Sequence, residues 1–228
     1  MLKAVSLHRQ ILDSLRVRQV AAVIGGSMGG MLALEWAFFG HEYVRSIVAI
    51  ATASQQTAWA IGWGETQRQA ICSDSRYQSG YYSFENSPVA GLEAARMAAL
   101  LTYRSRDSFE RRFGRKKVTT LNHDSPWGRR KESLFATQTY LRYQAKKFSE
   151  RFDSNCYISL TEKLDTHDIS RGRAETIEEA LALIRQPVLV AGVQSEGLYT
   201  LADQENIAET VPNAKLKEVT SNDGHDAF

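Results

Sequence analysis

The five residues Gly25-Gly26-Ser27-Met28-Gly29 constrain this chain more than any others, because of what flanks them. Before them, Gln19 to Ile24 (QVAAVI) is a short apolar run that reads as a buried parallel strand. After them, Met31 to Phe39 (MLALEWAFF) reads as a buried helix closed by Gly40. A strand that gives way to a helix over so few residues must turn sharply at Ser27, and the small residues two before and two after it leave room for the turn. The serine oxygen is thereby held above the strand ends. The same turn puts the backbone N–H of Met28 at a helix start, where an unpaired donor and the positive helix end stabilise a developing oxyanion. Taken alone, the pattern also occurs in Gly-rich turns that only pack closely or hold a phosphate; the strand before and the helix after favour a nucleophile.

The rest of the chain repeats the alternation. Val5, Leu7, Ile11, Leu12 and Leu15 fit one face of a helix over residues 4–16. Val44 to Ala51, Pro187 to Val193 and Leu216 to Thr220 read as further strands, with a helix from Ala202 to Thr210 between the last two. Strand and helix alternating at both ends predict an α/β fold with a mostly parallel sheet. Residues 1–53 and 186–228 form this core. Between them, residues 54–185 are dominated by helix-like segments such as Val89 to Arg104 and Ser133 to Phe152, and read as a helical lid inserted into the sheet. Within the lid, Gly114 to Arg130 is rich in breakers and reads as a loop.

Composition removes several classes of function. With 43% hydrophobic and 24% charged residues among 228, and no apolar run approaching ~18 residues, the chain has neither a disordered nor a membrane-spanning signature. Its 28 basic and 26 acidic residues are interspersed, which marks no nucleic-acid surface. The basic group Arg111, Arg112, Arg115, Lys116 and Lys117 reads as a solvated loop. Cys72 and Cys156 lack metal-site or redox spacing and read as reduced, partly buried thiols of a cytoplasmic protein. No metal is expected. No secretion signal opens the sequence.

A nucleophilic serine needs a histidine to take its proton and an acid to orient that histidine. With a serine turn of this kind the chain order is Ser, acid, His. His225, in SNDGHDAF after the last predicted strand, stands where the base belongs; His8 and His41 lie near the first helices, and His123 and His167 in the insertion. The acid should follow the preceding strand, where Glu196 is the first carboxylate; Asp203 is the weaker candidate because it falls within the next helix.

GGSMGGMLALEWA, ATASQQTAWAIGWGETQRQAI, PVAGLEAARMAALLTYRSRDSFERRFGRK, YLRYQAKKFSERFDSNCYISLTEKLDTHDISRGR and GHDAF occur in one chain and in this order. In these blocks the sequence resembles the homoserine O-acetyltransferase family, of the α/β-hydrolase fold. The resemblance implies an acyl-enzyme on Ser27, formed from acetyl-CoA as co-substrate with no bound cofactor, and passed to the side-chain hydroxyl of homoserine for methionine synthesis. It implies His225 as base and then acid, and Glu196 where the family usually has Asp. It further implies that Arg96, Tyr103 and Asp226 hold the amino-acid ends of the acceptor, and that the protein is a homodimer. Arg96 and Tyr103, seven residues apart, fall on one helix face. Other acceptors (serine, deacetylcephalosporin C), succinyl-CoA as donor, and an esterase remain rival readings.

The resemblance also sets departures. About 20 residues precede the serine turn, where the fold places several strands and a second oxyanion donor, and the sequence stops three residues after His225. The expectation is a fragment, a partial α/β-hydrolase fold whose first strand is an open edge. A non-catalytic remnant that binds a partner through that edge is the rival from outside enzymology.

Overall fold

The structure is a computed structural model that describes the backbone of residues 1–122 and 130–228 and the side chains of residues 1–119 and 134–228. In chain order its elements are α1 (Leu2–Ser14), β1 (Val23–Gly26), α2 (Met28–Trp36), β2 (Ile47–Ile50), α3 (Ala58–Cys72), α4 (Val89–Tyr103), α5 (Arg106–Arg112), β3 (Lys117–Asn122), β4 (Arg130–Phe135), α6 (Ala136–Ser149), α7 (Ser154–Asp165), α8 (Ile177–Ala182), β5 (Val188–Val193), α9 (Leu201–Thr210) and β6 (Ala214–Val219). His123, assigned by sequence to the insertion, lies outside the described residues.

Four strands form one parallel sheet in the order β1-β2-β5-β6, with Val23 opposite Ile47, Ile47 opposite Val188 and Val188 opposite Ala214. The long excursion from β2 to β5 contains α3 to α8, yet the two strands are direct neighbours, and α8 packs into the main core. Apolar side chains from both halves meet in the main core: Leu34 and Trp36 of α2, Ala49 of β2, Leu181 of α8, Val190 of β5 and Ile207 of α9. β1 lies at the sheet edge, and Ile24 on it is 67% exposed. α1 uses only part of its apolar face, burying Val5 and packing Leu12 while Leu7, Ile11 and Leu15 remain exposed.

Four readings from sequence are corrected. Gly114 to Arg130 is not simply a loop: β3 and β4 pair as an antiparallel ribbon, Lys117 opposite Phe135 and Asn122 opposite Arg130. The β-branched run Val118-Thr119-Thr120 accounts for the first strand. The tip, residues 123–129, lies outside the described residues, and the helix expected from Ser133 starts at Ala136 because Ser133 to Phe135 belong to β4. The basic group Arg111, Arg112, Arg115, Lys116 and Lys117 is exposed as expected but is not one loop, since Arg111 and Arg112 end α5 and Lys117 begins β3; the Arg112 guanidinium lies 4.8 Å from the Tyr140 ring centroid and that of Arg115 5.1 Å from Phe135. Cys72 and Cys156 are both exposed free thiols, since Ile71, Ser154 and Tyr157 take the inward helical positions beside them. Among the described residues no helix is long and apolar enough to cross a membrane.

Below the sheet, Glu35 of α2 is 3% exposed and accepts a hydrogen bond from the Arg173 guanidinium, which also lies 3.9 Å from the Phe38 ring centroid. His167 is buried beside this pair, its Nδ1 3.9 Å from Glu35. Burial pushes the His167 imidazole down to about 4, so it is neutral in the folded protein at pH 7. The unfolded chain takes up a proton at this residue below pH ~6.5, whereas the folded chain resists to about pH 4. Folding stability should therefore fall with pH across that window, with about 3 kcal/mol assignable to this residue. Denaturant titrations at successive pH values should show a slope shallower by about one proton in His167→Gln; parallel slopes would refute the assignment.

Candidate active site

Ser27 sits between the last residue of β1 and the first of α2 with φ 55° and ψ −124°. A left-handed φ is costly for any residue with a Cβ and persists only when its surroundings fix it. Here the Ser27 N–H donates to the Ile50 carbonyl at 2.9 Å, and its carbonyl accepts from the Thr52 hydroxyl at 2.8 Å. The neighbouring glycines are not equivalent. A Cβ on Gly25 would stand 2.0 Å from the Gly29 carbonyl oxygen, one on Gly26 2.3 Å from the Phe228 ring, and one on Gly30 2.6 Å from Thr52. A Cβ on Gly29 would meet nothing within 4 Å. The crowded set is thus Gly25, Gly26 and Gly30, so the spatial need assigned by sequence to Gly29 is a need for its backbone to approach Gly25. Met28 begins α2, where a first-turn N–H has no partner within its own helix.

Glu196 and His225 lie past the ends of β5 and β6, and both are 6% exposed. His225 Nδ1 stands 2.6 Å from Glu196 Oε2. With a carboxylate as acceptor, Nδ1 carries the hydrogen and Nε2 keeps a free lone pair. The second carboxylate oxygen, Oε1, accepts from the N–H groups of Leu198 at 2.7 Å and Tyr199 at 3.3 Å. Tyr103, Tyr199 and Phe228 surround the imidazole with ring centroids 5.5 to 5.7 Å away. The loop reaches this position through Gly224, whose φ is +67° and whose N–H donates to the Ser195 hydroxyl at 2.9 Å; a Cβ there would lie 2.7 Å from the Ser105 nitrogen. Asp203 is instead turned to its own helix start, accepting from the Thr200 N–H at 2.7 Å.

Ser27 and Met28 line a cavity of about 270 Å³ together with Arg96 and Tyr103 of α4, Tyr157 of α7 and Tyr199. The Arg96 guanidinium lies 4.6 Å from the Phe148 ring centroid and 5.4 Å from that of Tyr103, so aromatic faces hold it in place. Burial raises the phenol of Tyr103, with Arg96 opposing, and raises those of Tyr157 and Tyr199. All three are neutral donors at pH 7. The Tyr157 hydroxyl is committed to Gln67 at 2.5 Å. Asp226 does not line this cavity; its carboxylate faces the Arg104 Nε at 3.4 Å, beside the imidazole loop. A larger cavity of about 610 Å³ lies between α1 and α7, away from Ser27. Sequence reasoning did not single out Thr52, Ser195 or Gly224, which fix the loops. Only Gly224, placed immediately before a candidate base, carried a local signal.

Against known proteins, a family model described as alpha/beta hydrolase fold matches residues 3–228. A homoserine O-acetyltransferase of Fusarium oxysporum f. sp. lycopersici is 62% identical, with 98% of this chain and 68% of the relative covered. The homoserine O-acetyltransferase of Saccharomyces cerevisiae is 42% identical over 98% of this chain and 60% of its own length. The crystal structure of homoserine O-acetyltransferase from Bacillus anthracis superposes with a TM-score of 0.87 at 21% identity, over 99% of this chain and 60% of that one, a likeness of fold. The chain spans 68%, 58% and 53% of the length of the relatives from Fusarium oxysporum f. sp. lycopersici, Gibberella fujikuroi and Gibberella moniliformis, respectively.

The unequal crowding of the glycines is directly testable. Gly25→Ala should destabilise the chain by about 3 kcal/mol or more, because the obstacle is backbone and cannot rotate away. Gly29→Ala should change stability by under about 1 kcal/mol. Denaturant midpoints of the two variants, if alike, would show that the turn is not packed as described.

Proposed function

From the premise that this chain belongs to the homoserine O-acetyltransferase family of the alpha/beta-hydrolase fold, we propose that it is built for acetyl transfer from acetyl-CoA to L-homoserine through an acetyl-Ser27 intermediate. The observation that carries this reading is that Ser27 and Arg96 line the same cavity. A nucleophile and a fixed guanidinium facing one small space suit an acceptor that has both a hydroxyl and a carboxylate.

In the first half-reaction the Ser27 hydroxyl attacks the thioester carbonyl and gives its proton to His225 Nε2. Glu196 holds Nδ1–H and offsets the imidazolium charge. The oxyanion forms beside the Met28 N–H. Collapse breaks the C–S bond, His225 returns the proton to the departing sulfur, and acetyl-Ser27 remains. In the second half-reaction the homoserine hydroxyl loses its proton to His225 and attacks the ester; Ser27 leaves and recovers that proton. Donor and acceptor occupy the cavity in turn, so a space of about 270 Å³, at the small end of enclosed ligand sites (~300–1,000 Å³), is sufficient. That size favours a small α-amino acid over a bulky acceptor such as deacetylcephalosporin C.

Arg96 is assigned the acceptor carboxylate by a two-pronged contact, with the neutral Tyr103 phenol as a further donor. Asp226, next to His225 but outside the cavity wall and facing Arg104, is assigned the acceptor ammonium on the resemblance alone. The product would serve methionine synthesis, as the resemblance implies.

Incubation with acetyl-CoA should add one acetyl group by intact mass, lost on adding L-homoserine and absent in Ser27→Ala. Glu196→Gln, which removes the charge opposite the imidazole, should slow acylation by ~10²–10⁴-fold. An adduct that persists in Ser27→Ala, or one discharged by water as fast as by homoserine, would sink the transferase reading.

A further inference from the structure

We propose that a cleft adjoining the Ser27 cavity, walled by Trp59, Leu101 and Arg106, seats the nucleotide end of the acyl-CoA donor. The inference rests on the transfer reaction proposed above and adds a place for the part of the donor that does not react.

An acyl-CoA is larger than the Ser27 cavity can enclose. Only its acyl and pantetheine end can enter about 270 Å³, and its phosphorylated nucleotide must lie on a neighbouring surface. A second cleft of about 260 Å³ meets that requirement, because Trp63 and Thr102 belong to the walls of both spaces. Its chemistry matches the three parts of the donor's tail. For the base there is Trp59, whose indole is 58% exposed yet not free to swing: its Nε1–H donates to the Gly197 carbonyl at 3.0 Å, and its ring meets Trp63 edge to face at 5.7 Å. A large aromatic face held rigid in water, next to the half-exposed Leu101, is a stacking platform that costs little entropy to use.

For the phosphates there is Arg106. It is exposed on the cleft wall and has no ion-pair partner among the described residues, whereas the charge of neighbouring Arg104 is divided between Asp223 at 3.6 Å and Asp226 at 3.4 Å. For the linking arm there is Trp63 itself. Its side chain borders both spaces.

The test compares two donors that deliver the same acetyl group, acetyl-CoA and S-acetylpantetheine, which has no nucleotide. Acylation of Ser27 is followed by mass for the wild type, Arg106→Glu, Trp59→Ala and Trp59→Phe. The ratio of second-order constants, acetyl-CoA over S-acetylpantetheine, should fall tenfold or more in Arg106→Glu and Trp59→Ala and be largely restored in Trp59→Phe. The wild-type ratio should also decline with added salt, as expected for an arginine–phosphate contact. Unchanged ratios would overturn the cleft assignment while leaving the acyl-enzyme reading intact. If the wild type is acylated by neither donor, the transfer reading fails separately, and titration calorimetry with CoA itself decides the cleft. Tenfold weaker binding in Arg106→Glu supports it; equal binding, or none to the wild type, overturns it.

Discussion

The conformation of Ser27 is the constraint on which the rest of the molecule depends. A serine at φ 55° does not hold itself there, and the contacts that hold it come from separate parts of the chain. β2 supplies the carbonyl of Ile50, and the residues just beyond β2 supply the Thr52 hydroxyl. α2 must then rise close enough for Gly29 to touch Gly25 and for Gly30 to touch Thr52. Moving β2 by one residue in the sheet would withdraw both anchors at once, since Gly26 lies opposite Ile50. Sheet register, helix approach and the strained turn are therefore one solution rather than three.

The inserted helices are tied to the core at the loop that carries His225. α4 ends at Tyr103, and the chain then runs extended through Arg104 into α5. This corner grips the loop from several sides: Ser105 Oγ donates to the Asn222 carbonyl, Ser108 Oγ donates to Asp223 at 2.8 Å, and Arg104 faces Asp223 and Asp226. Gly224 permits the two backbones to meet at a distance no Cβ would tolerate. Thus the helix that carries Arg96 and Tyr103 into the cavity also fixes the proposed base beside it.

Much of this was legible in the sequence, and the limits are instructive. Short apolar runs identified β1, β2 and β5, although only β2 and β5 are flanked by strands on both sides and β1 carries Ile24 67% exposed at the sheet edge. Ser27, Glu196 and His225 could be named because each follows a strand, and a parallel sheet gathers strand ends on one side. What could not be read was anything decided by contact between distant segments. The β3–β4 ribbon was hidden because breaker residues outweighed a brief β-branched run. The outward turn of Cys72 and Cys156 depended on helix phase against neighbours. The pairing of Asp226 with Arg104 joins residues 122 positions apart in sequence, at a corner that no local pattern predicts.

Glu196 shows how local structure absorbs a change that the sequence presents as a defect. A glutamate reaches one methylene further than an aspartate, so its carboxylate would overshoot or rotate unless the backbone compensates. The loop after β5 supplies that compensation. Glu196 N–H turns back to the Val193 carbonyl at 3.2 Å, and Oε1 is captured by the N–H groups of Leu198 and Tyr199, leaving Oε2 aimed at the imidazole. Two backbone donors on one oxygen remove the rotational freedom that the longer side chain would otherwise add. The same loop presents Gly197, whose carbonyl holds Trp59. The turn that orients the carboxylate thus also fixes the wall of the adjoining cleft, and altering the acid's reach would disturb both.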